Sequence, residues 1–193
     1  MTPPSKDTLE ARLHYPLGNA LPEPGRTLTV APGVKWIRMS LPFALDHISL
    51  WLLRDTLDGV DGWTVVDCCI SRDEAKAQWE QIFANELEGL PILRVIVTHM
   101  HPDHLGMANR IRTATGAPLV MHREEQHALD GTNWAAKALA ANLDSWGVPE
   151  DRLPELERVM NGEASTGGLV HIDRLLEDGE VIAWPGISLT VMW

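Results

Sequence analysis

The residues best equipped for chemistry lie within a six-residue stretch, His99-x-His101-x-Asp103-His104. Three imidazoles and a carboxylate are a donor set for Zn²⁺, and equally for iron or manganese. They follow directly on Ile92-Leu93-Arg94-Val95-Ile96-Val97, a largely apolar run that reads as a buried strand. Residues two apart on an extended backbone share a face, so His99 and His101 can point the same way. Pro102 disfavours helix at His101 and starts a turn. Asp103 and His104 then fall on the first turn of a helix, aimed back at the strand end. One ion could take His99 and His101, and a second could take Asp103 and His104. The competing explanation is a histidine-rich surface turn, which the strand–motif–helix context argues against.

Elements on both sides must hold this segment in place. Upstream, Val34 to Met39, Ile48 to Leu53 and Trp63 to Asp67 read as strands of an antiparallel sheet, with Gly59 and Gly62 as turn signals. A helix is expected from about Ser71 to Leu90. Ser71 and Glu74 have the spacing of a capping box, and Trp79, Ile82, Phe83, Leu87 and Leu90 form its apolar stripe. Gly89 and Pro91 should stop it. Downstream, a helix is expected from about Asp103 to Ala114, then a short strand at Pro118 to Met121. From Arg123 to Met160 the pattern is helical in two or three pieces, clearest from Trp134 to Trp146, with Glu150 to Met160 next. Ser165 to Gly168 reads as a loop. Val181 to Trp184 and Ile187 to Trp193 return to strand, joined by a Pro185-Gly186 turn.

Composition narrows the function classes. The chain has 193 residues, 45% hydrophobic and 22% charged, which are globular values that allow one domain. Sixteen basic residues against 27 acidic ones give a net charge of −11. Such a surface repels phosphate backbones and anionic lipid, so neither nucleic acid nor a membrane is an expected partner. The only cysteines, Cys68 and Cys69, are adjacent and cannot form a disulfide framework, so a reducing compartment is expected. No apolar h-region follows Met1, so no secretory signal is expected and the expected location is cytoplasmic. Residues 1–30, rich in proline and glycine, read as an extended arm ahead of a domain at 31–193.

T-H-x-H-x-D-H after an apolar strand resembles the signature of the metallo-β-lactamase-fold superfamily. Ser49-Leu50-Trp51-Leu52-Leu53 resembles its early strand, and Val65-Val66-Asp67 the strand before its first helix. Asp173-Arg174-Leu175-Leu176-Glu177-Asp178-Gly179 resembles the hairpin before its next metal histidine. The resemblance covers about residues 30–193 and is nearest to cytoplasmic β-lactamase-like and glyoxalase-II-like hydrolases. It implies an α+β fold, an αββα sandwich with a one- or two-metal site at the sheet edge. A helical insertion at about 123–160 would shape the pocket, with Trp134 and Trp146 as lining or packing residues. It also implies His99, His101, Asp103 and His104 as metal ligands, with zinc first and iron or manganese as alternatives. Asp103 would be catalytic, orienting the attacking water or taking its proton.

The implied reaction is hydrolysis of an ester, thioester or lactone by metal-bound hydroxide on a small-molecule substrate. An iron-dependent sulfur dioxygenase of the same fold and a non-catalytic remnant are the alternatives, and a nuclease is disfavoured by the charge. Asp67 is either a group orienting a ligand histidine or a strand-end turn carboxylate. Cys68 and Cys69 replace the family's small Thr or Ser and Gly, as buried fillers or as thiols near the metal. His47, His122, His127 and His171 are expected to be surface or satisfied histidines. The acidic pairs near Arg123 and Glu155 are expected to be solvated. The family's later G-H-x-x-x-H ligands would follow Trp193, so a truncated chain is expected. It would carry an open apolar sheet face near Ile187 to Trp193, with poor stability or a homodimer as the consequence.

Overall fold

The computed structural model describes residues 12–42, 44–130, 170–184 and 187–192. The expected helices at 134–146 and 150–160, the loop at 165–168 and the Pro185-Gly186 turn lie outside the described residues. Seven strands form one sheet in simple sequential order: β1 (Leu28–Ala31), β2 (Val34–Ser40), β3 (His47–Leu57), β4 (Val60–Val66), β5 (Ile92–Val97), β6 (Leu119–His122) and β7 (Arg174–Leu176). The pairs from β1 to β4 are antiparallel, and those from β4 to β7 are parallel. β8 (Val181–Trp184) and β9 (Ile187–Thr190) make a separate antiparallel pair.

The change of direction at β4 follows from the connections. Leu57 pairs with Val60 across Asp58-Gly59, and both loop residues have positive φ, 52° and 79°. That is the two-residue hairpin for which Asp-Gly is suited. From β4 onward the strands run parallel and need crossovers. Helix α1 (Asp73–Asn85) supplies the first, and α2 (Pro102–Leu105) with α3 (Ala108–Thr115) the second. Residues 123–130 begin the third, as helix. Among the described residues, no helix is long and apolar enough to cross a membrane.

Strand alternation sorts side chains onto two faces. Ile37, Met39, Ile48, Leu50, Leu52, Val65, Val95, Val97, Leu119 and Met121 face the helices and pack with Trp79, Ile82, Leu105, Met107, Ile111 and Leu129. The opposite face carries Leu53, Ile96, Val120 and Leu176, and the β8–β9 pair covers it with Ile182 and Trp184. Helix layer, seven-stranded sheet and two-stranded sheet are therefore stacked in that order, in agreement with the expected α+β fold. On β9 and just beyond it, Leu189 and Met192 are exposed.

Several boundaries differ from expectation. β1 begins within the segment read as an extended arm. Helix α1 is shorter at both ends, and its N-cap is Arg72, with no side-chain capping hydrogen bond, so the Ser71–Glu74 box does not form. At its far end Glu86 is taken by tertiary contacts: its carboxylate receives Thr27 and Arg26, and its carbonyl receives Lys35. The single helix expected from Asp103 to Ala114 is two, α2 and α3, broken at Gly106-Met107.

Gly62 is not a turn residue but lies inside β4. A Cβ there would meet the Pro91 carbonyl oxygen at 2.5 Å and Leu93 Cγ at 2.6 Å. That carbonyl cannot withdraw freely, because it accepts the Trp63 amide at 2.9 Å. Gly62→Ala should therefore cost about 1–3 kcal/mol. A urea midpoint lowered at unchanged slope would show it, and an unchanged midpoint would refute it.

Candidate metal centre

The centre sits where two parallel strands end. Val66 pairs with Ile96, so Asp67 and Thr98 emerge side by side at the carboxyl edge of the sheet, the edge where open α/β sheets bind ligands. The Asp67 amide donates to the Ile96 carbonyl at 2.9 Å. Asp67 adopts φ +61°, a left-handed conformation that aspartate tolerates better than most residues. This turn is strapped down from three sides. The Cys68 amide donates to the His104 carbonyl, the Met107 amide to the Cys69 carbonyl, and buried Trp79 Nε1 to the Cys68 carbonyl. The strand–turn–helix unit that carries the histidines is thus bolted to the turn that carries Asp67.

Asp67 is the hub. It accepts the Thr98 amide at 2.8 Å, the Thr98 hydroxyl at 2.9–3.0 Å and His104 Nδ1 at 2.8 Å. The Thr98 hydroxyl also lies 3.0 Å from His99 Nδ1. With that hydroxyl donating to Asp67, His99 Nδ1–H donates to it, which leaves His99 Nε2 without a proton. By the same pattern His104 presents Nε2 outward. Asp67 therefore orients one imidazole directly and another through Thr98, and does so from a turn at the end of β4.

His99, His101 and His104 come together, with ring centroids 4.7 Å apart for His99–His101 and 3.8 Å for His99–His104. His99 Nε2 is 3.1 Å from His101 Nδ1, and His104 Nε2 is 3.5 Å from an Asp103 carboxylate oxygen. His99 thus lies as close to His104 as to its expected partner His101. The two pairs read from the sequence therefore lie side by side.

Burial, reinforced by the neighbouring His104 and His101, lowers the His99 pKa and favours its neutral ring. Burial opposes charge on His104 too, but the Asp67 hydrogen bond and charge outweigh it and raise the His104 pKa. Three imidazoles and a carboxylate, with two of the rings hydrogen-bonded at Nδ1, have the chemistry of a zinc-type donor set. Among the described residues, no three of these groups close around a single point, so each pair offers two donors.

Cys68 and Cys69 are fully buried. Burial first, then Asp67 and Cys69, raises the Cys68 pKa. Burial pushes Cys69 up to about 11, with the Asp103 charge adding to the effect. Both are held as thiols, as buried fillers would be. His47, His127 and His171 lie at the surface, and His47 contacts Asp46. His122 is buried at the end of β6, and its Nδ1 accepts the Glu124 amide at 3.2 Å.

Two participants were not singled out in the sequence. Thr98 was visible only as the first letter of T-H-x-H. Glu125, expected on a solvated face, is half-buried and accepts the Met100 amide at 2.8 Å. Only a fold that lays residues 123–130 beside the H-x-H turn reveals it.

Comparison with known proteins gives a consistent result. The family model of the metallo-beta-lactamase superfamily matches residues 45–193. A beta-lactamase domain protein from Burkholderia ambifaria superposes with a TM-score of 0.75 and 39% identity, over 94% of this chain and 51% of that one. A metallo-beta-lactamase family protein from Thermus thermophilus shares the fold, with a TM-score of 0.58 and 22% identity over 86% of this chain and 52% of its own. The probable metallo-hydrolase YqgX of Bacillus subtilis is 26% identical over 92 residues, which are 48% of this chain and 41% of YqgX. The chain spans about half the length of these relatives or less.

Proposed function

The chain belongs to the metallo-beta-lactamase superfamily, and from that premise we propose that it is a metal-dependent hydrolase acting on the carbonyl of an ester, thioester or lactone. The observation that carries this is the Asp67 hub, which holds His104 directly and His99 through Thr98, beside His101 and Asp103. His99 and His101 would hold one ion, and Asp103 and His104 a second, with zinc the first choice and iron or manganese next. Bound there, such a metal supplies Lewis-acid polarisation of the carbonyl and acidification of water.

The chain's own residues do the rest. Asp67 takes the Nδ1 proton of His104 as a hydrogen bond, so Nε2 is the atom presented. Thr98 does the same for His99. Asp103 would orient the attacking water or take its proton at a carboxylate oxygen. The charge of −11 supports a small-molecule substrate in place of nucleic acid or anionic lipid, and the reducing compartment inferred from the cysteines supports a cytoplasmic location.

The test is purification with zinc present, followed by assay on a panel of thioesters, esters and lactones. Turnover that chelation abolishes and added zinc restores is the expected result, with His101→Ala inactive under both conditions. Full turnover after complete demetallation would refute the proposal. Iron uptake with oxygen consumption would move the assignment to a dioxygenase.

A further inference from the structure

We infer that Glu125 is a positioning residue for the H-x-H turn: its carboxylate clamps the backbone between His99 and His101 from the neighbouring helical segment. This rests on the proposed use of those histidines as metal ligands. The Met100 amide donates to Glu125 Oε2 at 2.8 Å, while the Met100 side chain packs against the helix-side core. Both handles act on the one residue that separates the two imidazoles. The hydrogen bond fixes the His99–Met100 peptide plane and the packing fixes the Met100 side chain, and together they constrain the directions in which His99 and His101 leave the chain.

Glu125 is itself well anchored. Met121 pairs with Val97, so β6 ends beside β5 and delivers the next segment onto the turn. Residues 123–130 are helical, and Leu129, one turn after Glu125 on the same face, is buried in the core. The His122 ring takes the Glu124 amide, which covers one of the free donors at the start of that helix. A glutamate at the third helical position commonly folds back on its own cap. Here it reaches across to another loop. The segment after β6 thereby sets the geometry of the metal-facing turn without touching the ion.

The test uses Glu125→Ala and Glu125→Gln, the second keeping an acceptor oxygen of the same reach. In the metal-free chain, the Met100 amide should exchange with solvent about tenfold faster in Glu125→Ala, as loss of one hydrogen bond predicts, and near the wild-type rate in Glu125→Gln. Cobalt(II) binding, followed by its visible absorption, should weaken about tenfold in Glu125→Ala. In Glu125→Gln it should weaken by about threefold or less. A Met100 amide that exchanges at the wild-type rate in Glu125→Ala overturns the inference, whatever the cobalt result. Equal cobalt weakening in both variants with Met100 unmoved would point to charge alone and also overturn it. A wild-type chain that takes up no cobalt overturns the metal assignment separately, and the metal-free exchange then decides the positioning role.

Discussion

Asp67→Asn should weaken the chain's affinity for zinc or cobalt by about ten- to a hundredfold while leaving it folded. The substitution keeps the shape of the side chain and suits the left-handed backbone at this position, where φ is +61°. One amide oxygen can still accept from the Thr98 backbone. The other position becomes an NH₂ group facing His104 Nδ1, where an acceptor stands 2.8 Å away in the native chain. Two donors cannot share that contact, so the imidazole must shift its proton to Nε2, the atom it should present to the ion. The Thr98 hydroxyl loses its charged acceptor as well, and with it the tie that fixes His99. Asp67→Ala should show the same loss and destabilise the chain too, because the part-buried Thr98 amide is left without its partner. Isothermal titration with zinc, beside far-UV and near-UV circular dichroism, separates the two effects. Native spectra with unchanged zinc affinity in Asp67→Asn would show that the hub does not tune the site.

The candidate metal centre was largely legible in the sequence because most of its residues are contiguous. Thr98 to His104 follow one strand and open one helix, so local periodicity alone placed them on a strand end and a first helical turn. What it could not supply was separation in space. Asp67 and His104 are 37 residues apart, and their 2.8 Å contact exists because β4 and β5 are parallel neighbours. Glu125 was misplaced for the same reason. In the string Arg123-Glu124-Glu125 nothing distinguishes the residue that turns inward from its neighbours, and only the docking of Leu129 settles which face is buried. The failed capping box at Ser71 shows the opposite limit, where a strong local signal loses. Arg72 takes the N-cap position, and the preceding turn is set by the straps at Cys68 and Cys69, so long-range hydrogen bonds decide where α1 begins.

Arg94 marks the largest blind spot, and its replacement should have the largest effect on stability. Ile92–Val97 was read as a buried strand with no role assigned to the charge in its middle. In the fold it faces the second layer, where its side chain is 7% exposed and that of its partner Asp55 only 1%. Arg94 Nε and Nη2 donate to the same Asp55 oxygen at 3.1 and 2.8 Å. The Thr64 hydroxyl donates to that oxygen at 2.5 Å, and the Thr56 amide to the other at 2.8 Å. The Trp184 ring of β8 lies over the guanidinium, 5.4 Å from ring centre to Cζ, so the hairpin seals the pair from water.

Desolvating two charges costs several kcal/mol each, and their attraction offsets that only while both are present. Arg94→Met removes the cation and strands a buried carboxylate, so the expected cost is about 3–5 kcal/mol, a large part of a typical domain's stability. Asp55→Leu strands the guanidinium beneath Trp184 and should cost a similar amount. The double substitution removes both desolvation penalties and should come back to within about 1–2 kcal/mol of the native chain. Urea unfolding of all four proteins at one pH gives the complete cycle. Single variants that each lose less than about 1 kcal/mol, or a double variant whose loss equals their sum, would mean that the two charges do not depend on one another. The seal over the sheet would then rest on Trp184, Ile182 and Leu53 packing alone.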